Sequence, residues 1–183
     1  MSLHKYLIII FPLLILGCKD QEKSSYLEEI ELMNSKIDSL DNVSKNQNSD
    51  SIPAIVRTIE NTIDKVKENY IADTIDLEIA TLMNRYKDAK KSLSSNTGNL
   101  SKAKGAIPEV KEKLEHLKHD IENGVGDREK YEEYINFEKN KIQEIESILD
   151  YYIKTNKKYL EQYQSAHPKV KNFVDSLVSQ NAK

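Results

Sequence analysis

Residues 131–163 read YEEYINFEKNKIQEIESILDYYIKTNKKYLEQY, and within them Tyr131, Ile135, Glu138, Ile142, Ile145, Leu149, Tyr152, Asn156, Tyr159 and Tyr163 recur at alternating steps of four and three. That rhythm puts one stripe of side chains on one face of an α-helix, where it must be buried against something. At 1.5 Å per residue a helix over 127–166 spans about 60 Å. A helix of this length draws its stability from packing of the stripe rather than from propensity, so partner helices must exist in the same chain or in a second copy.

The partners are legible upstream. Leu100, Ala103, Ile107, Val110, Leu114, Leu117 and Ile121 keep the same rhythm across Gly105 and Pro108, where a kink or a helix start at Pro108 is predicted. Asn96-Thr97-Gly98-Asn99 reads as a helix stop before this stretch, and Asn123-Gly124-Val125-Gly126 as a tight reversal after it, with Asp127 as the next cap. Ile52, Val56, Ile59, Ile63, Val66 and Tyr70 form another stripe, and Ile75, Ile79, Leu82, Tyr86, Ala89 and Leu93 a further one, out of phase by five residues. The phase shift at Asp73-Thr74 must rotate the face, bend the helix or start a new one capped by Asp73. Tyr26, Ile30, Met33, Ile37 and Leu40 mark a first helix over 25–42, opened by a Ser25/Glu28 capping box. The polar stretch 43–51 reads as a flexible linker that leaves this helix loosely attached to a main bundle over 52–181, closed by a short last helix from Pro168. The fold class is all-α: an elongated antiparallel bundle of four to five helices with coiled-coil-like packing. A helical hairpin that completes its core as a homo-oligomer is the alternative architecture.

Composition agrees. The chain of 183 residues has only 5 Gly and 4 Pro, few of the turn residues that sheets and barrels need, and its 31% charged content implies a thin core with a large wetted surface. The formal net charge is −3, and one unit more negative if Lys5 is removed with a leader. A mildly acidic body is poorly suited to phosphate backbones, so nucleic acid is not an expected partner.

The N-terminus reads as an address. An apolar run of Tyr6–Leu16 ends in Ile15-Leu16-Gly17-Cys18, and Cys18 is the only cysteine. The run is far shorter than the ~20 residues a membrane-spanning helix needs, and suits the apolar core of a cleaved signal peptide. These four residues resemble the lipobox of bacterial lipoproteins, with Leu16 bulkier than is usual at its place. The resemblance implies cleavage after residue 17, lipidation of Cys18, and attachment to a membrane through that anchor. Residues 18–24 then form a polar tether. Lys19-Asp20-Gln21-Glu22 resembles the surface-export signal of Bacteroidota lipoproteins, with Gln21 interrupting the acidic pair. Since Asp does not directly follow Cys18, the expected location is the outer membrane, on its periplasmic or its cell-surface side. Asp38-Ser39-Leu40, Asp50-Ser51-Ile52, Asp73-Thr74-Ile75 and Asp175-Ser176-Leu177 resemble the O-glycosylation sequon of the same bacteria.

For the body the chemistry is bland. The chain carries no glycine-rich phosphate loop, Cys-x-x-Cys pair, His-Glu-x-x-His or Gly-x-Ser-x-Gly motif. Glu112, Glu115, His116 and His119 have the spacing of a metal half-site, but no matching Glu-x-x-His stands on another stripe, so a solvated charged face is the reading preferred. Glu138 and Asn156 interrupt the apolar seam and are read as register-setting polar residues, with an inward polar site as the alternative. Six of the ten tyrosines fall within 131–163, where they suit either seam packing or a partner-binding face. The expected function is therefore a lipid-anchored, non-enzymatic, cofactor-free helical scaffold that binds another envelope protein. A bundle binding a small ligand or metal through His116 and His119 is the alternative.

Overall fold

A computed structural model describes the backbone of residues 4–47, 49–71 and 76–181, and side chains from residue 21 onward within those stretches. The side chains of residues 1–20, Cys18 among them, and the proposed cap at Asp73-Thr74 lie outside the described residues. The described chain is all-α and packs as a helical bundle. Its α-helices are α1 (His4–Lys45), α2 (Ser51–Asn69), α3 (Leu77–Asn123) and α4 (Tyr131–Asn181), with a single 3₁₀ turn (Arg128–Lys130) leading into α4.

The helices sort into two compact units, each drawing on both halves of the sequence. Unit 1 comprises Met1–Val43 and Lys104–Glu146, and unit 2 comprises Ser44–Ala103 and Ser147–Lys183. In unit 1 the stripe of α1 (Ile30, Met33, Ile37, Leu40) is buried with Ile107, Val110, Leu114, Leu117 and Ile121 of α3 and Ile135, Ile142 and Ile145 of α4. Lys23 meets Glu122, and Lys111 meets Asp38 and Asp41, so α1 runs antiparallel to α3. Unit 2 buries Ile59 and Ile63 of α2, Leu82, Met83, Tyr86 and Ala89 of α3, and Ala166, Val170 and Val174 of α4 in one cluster. There α3 is antiparallel to α2 through Lys90–Glu60 and to α4 through Lys169–Glu78.

Several boundaries differ from the sequence expectation, and one physical reason covers most of them. First, the helix of 25–42 is not loosely attached: Ile30 and Ile37 are completely buried. Residues 21–24, expected as a solvated tether, are exposed helix inside α1. The linker shrinks to the turn between Lys45 and Ser51, held by Gln47 N–H to Ser44 O (3.3 Å) and Ile52 N–H to Ser49 O (3.1 Å). Second, α3 runs through Asn96–Asn99 and Pro108, and α4 runs through Pro168. A helical glycine costs about 1 kcal/mol and an interior proline about 3 kcal/mol. Around Pro108 these costs are outweighed, because Ala103, Ile107, Val110 and Leu114 are all buried, at roughly 1.5–3 kcal/mol for each large apolar side chain. Pro108 itself faces solvent, and a Cβ at Gly98 or Gly105 would meet nothing. Third, the phase shift after α2 does produce a new helix. Asp76 caps it, its Oδ1 accepting from the backbone N–H of Glu78 (2.8 Å) and Ile79 (3.2 Å).

The reversal at Asn123–Gly126 stands where the sequence put it. Gly124 N–H bonds Ile121 O, Val125 N–H bonds Asp120 O, and Gly124 has φ of 60°, which together make a Schellman cap. The Tyr131 hydroxyl reaches back to the carbonyls of Asp120 and Val125 and ties the turn to the start of α4. Asp127 does not cap with its side chain, and instead pairs with Lys130 (2.9 Å).

Candidate functional site

Two polar constellations interrupt the apolar seam of unit 2, and a third lies in unit 1. The first is centred on Tyr86 of α3. Its ring stacks on Tyr163 (centroids 5.8 Å apart) and lies parallel to the His167 imidazole (6.0 Å, 9° between planes), and Tyr163 also contacts His167 (4.9 Å). Tyr86 Oη and His167 Nδ1 are hydrogen-bonded at 2.5 Å. Burial pushes the Tyr86 phenol up to about 12 and keeps it a donor, while burial, helped by the Lys171 ammonium, pulls the His167 imidazole below its ordinary value. Both shifts favour the neutral pair. In the sequence Tyr86 is one member of an apolar stripe, and His167 stands in no motif. Their spacing on two different helices carries no signal until α3 and α4 are paired.

The second constellation is an amide network. Asn96 Nδ2 donates to the Tyr152 carbonyl (2.9 Å) and to Asn156 Oδ1 (2.8 Å), and Asn99 Nδ2 donates to Asn96 Oδ1 (2.8 Å). Asn96 and Asn156 are buried, and this network is why the expected helix stop at 96–99 is a continuous helix instead. Buried amides are costly only when unpaired, and here both hydrogens of the Asn96 amide and its oxygen are used. Asn156 thus lies inward at the seam, paired across to α3. The hydroxyl of Tyr152, a turn away, is buried without a hydrogen-bond partner among the described residues.

In unit 1, Glu138 sits in the seam of α4, 8% exposed. Desolvation raises its carboxyl above the ordinary range, with Lys113 and Lys141 acting the other way. Outside the seam, a shallow groove of about 270 Å³ runs between α1 and α4, lined by Leu32, Met33 and Ile142 and bordered by the ion pairs Glu29–Lys139 (2.6 Å) and Lys36–Glu146 (2.5 Å). It is open, and the charged side chains at its border are taken up in those two ion pairs.

The remaining sequence candidates lie on the surface. Glu112, Glu115, His116 and His119 all face solvent, and His119 contacts Asn123 through its ring (3.1 Å) and its carbonyl (2.8 Å). Among the described residues no group of three or more His, Cys, Asp or Glu stands close enough to hold a metal ion. Of the tyrosines in 131–163, Tyr131 and Tyr152 are buried, Tyr159 and Tyr163 are half-buried in unit 2, and Tyr134 and Tyr151 are exposed. Ser39, Ser51 and Ser176, the described hydroxyls of the sequon-like tripeptides, are exposed. Among the described residues no helix is long and apolar enough to cross a membrane. Comparison of the chain with protein-family models, with curated proteins and with solved structures finds no match.

Proposed function

We propose that the protein is a lipid-anchored component of the bacterial cell envelope, held in the outer membrane through Cys18 and acting as a non-catalytic helical module that binds another envelope protein. The observation that carries the anchoring is the sequence boundary itself: an eleven-residue apolar run ending in Leu16-Gly17-Cys18, with no second thiol to form a disulfide. A single acyl chain holds a protein only marginally, but each buried methylene contributes about 0.8 kcal/mol, so a cysteine carrying two or three chains is firmly attached.

The scaffold reading is supported by how the polar groups are used. The seam amides bond each other, and Tyr86 pairs with His167, so these buried polar groups tie helices together. The exposed apolar side chains Leu32, Tyr134, Phe137 and Tyr151 supply the aromatic and aliphatic anchors typical of protein contact surfaces.

The test is replacement of Cys18 by serine in cells grown with a radiolabelled fatty acid. The native chain should incorporate label and sediment with outer membranes, and Cys18→Ser should lose both. Retention of the unlabelled variant in membranes would overturn the anchor. Crosslinking in the intact envelope followed by mass spectrometry then tests the partner: a reproducible crosslink from Tyr134, Phe137 or Tyr151 neighbours to one envelope protein supports the scaffold, and its absence counts against it.

A further inference from the structure

If Cys18 is the anchor, the fold also decides which end of unit 1 faces the lipid. Lys23, five residues after Cys18, donates from Nζ to the carbonyl of Glu122 at 2.7 Å. One turn further on, Tyr26 packs edge-to-face on Tyr131, with centroids 6.4 Å apart. Both contacts lie at the α3–α4 turn. Five residues span about 7.5 Å as helix, which is how α1 continues through them, and at most about 18 Å fully extended. In either state the acylated sulfur stays within about 18 Å of Lys23, whereas the Asp41–Lys111 end of unit 1 lies 18 residues along α1 from Lys23, roughly 27 Å away.

We infer that the α3–α4 turn, Asn123–Lys130, is a membrane-contacting surface that rests on the headgroups of the bilayer holding the Cys18 lipid. This inference rests on the proposed anchoring. The turn is built for a defined placement. Positive-φ glycines flank Val125, whose side chain is left 46% exposed at the tip, and the Schellman cap and the Tyr131 hydroxyl hold the backbone in shape. Its charges are mixed: Arg128 and Lys130 stand among Asp127 and Glu129, with Lys23 beside Glu22. With no excess of cations, the surface has no electrostatic preference for anionic lipid. The occupant it fits is a zwitterionic headgroup layer, with the anchor supplying the affinity and the turn setting the orientation.

Because Cys18 is the chain's single cysteine and carries the lipid, a new cysteine is the sole free thiol. Val125→Cys is compared with Glu109→Cys, an exposed position in the same unit 14 residues, or about 21 Å, up α3 from its last residue, Asn123. Each full-length acylated chain is labelled with an environment-sensitive fluorophore and reconstituted in phosphatidylcholine vesicles bearing a headgroup nitroxide quencher. Quenching at position 125 should be at least twofold stronger than at 109, and unchanged when a fifth of the lipid is made anionic. Equal or stronger quenching at 109 in vesicle-bound protein overturns the orientation and leaves the anchor intact. Failure of the acylated chain to bind vesicles at all, against a Cys18→Ser control, overturns the anchor and the inference with it.

Discussion

Tyr86 and His167 show how a side chain's surroundings set its charge state. The His167 imidazole is hydrogen-bonded to Tyr86, and its folded value is depressed by burial and by Lys171. Between the depressed folded value and the ordinary histidine value, the unfolded chain binds more protons than the folded one, so stability rises with pH through that window. The contribution is complete above the ordinary value and lost as pH falls through the folded one. Glu138 has the opposite sign. Its raised folded value means the folded chain binds more protons, so its contribution to stability falls as pH rises from the ordinary carboxylate value through the folded value. Urea midpoints measured from pH 4 to 8 should therefore show His167→Gln flattening the acid-side loss and Glu138→Gln removing a loss on the alkaline side of its window. If either variant tracks the native curve, that residue is not titrating as its burial implies.

At the level of single elements, the amide network explains a helix that local propensity argues against. Asn96 is a poor helix former followed by Gly98, yet α3 continues because its side chain bonds two groups on α4. Asn96→Ala leaves the Asn156 oxygen buried and unpaired, and is expected to destabilise by about 2 kcal/mol by denaturant titration. Replacing Asn96 and Asn156 together by leucine should cost less than that single change, because no orphaned polar group remains. At the α3–α4 turn the determinant is backbone conformation. Gly124→Ala must hold a side chain at φ of 60° while pushing against the Arg128 guanidinium, 2.8 Å from where the Cβ would stand. The cost should be about 1 kcal/mol, with Gly98→Ala, which meets nothing, neutral or slightly stabilising.

Considered whole, the described residues form two compact units, and the buried stripe of α1 lies in unit 1. Ile37 of α1 and Ile59 of α2 are both fully buried, each in a different unit. Ile37→Ala should destabilise as Ile59→Ala does, each by about 3 kcal/mol. A loosely attached first helix would instead make Ile37→Ala nearly silent. Amide exchange read by mass spectrometry distinguishes the cases, since Ile37→Ala should loosen protection in residues 26–43, 104–123 and 131–146.

The pattern of apolar residues by itself determined the all-α class, the stripes on every helix and the reversal at Gly124 and Gly126, while the phase shift after α2 left a rotated face, a bend and a new helix all open. Each follows from helical periodicity or from the conformations one residue type permits, and neither depends on distant partners. The cysteine boundary likewise set the expectation of a lipid anchor, for which the helical body carries no information. Tertiary structure decided the remainder: that Asn96, Gly98, Pro108 and Pro168 lie inside continuous helices, that the first helix is a core element, and that Tyr86 meets His167. Local propensity terms of about 1–3 kcal/mol yield to the burial of several apolar side chains at once, and contacts between residues 60 to 110 positions apart exist only after the helices have chosen their neighbours.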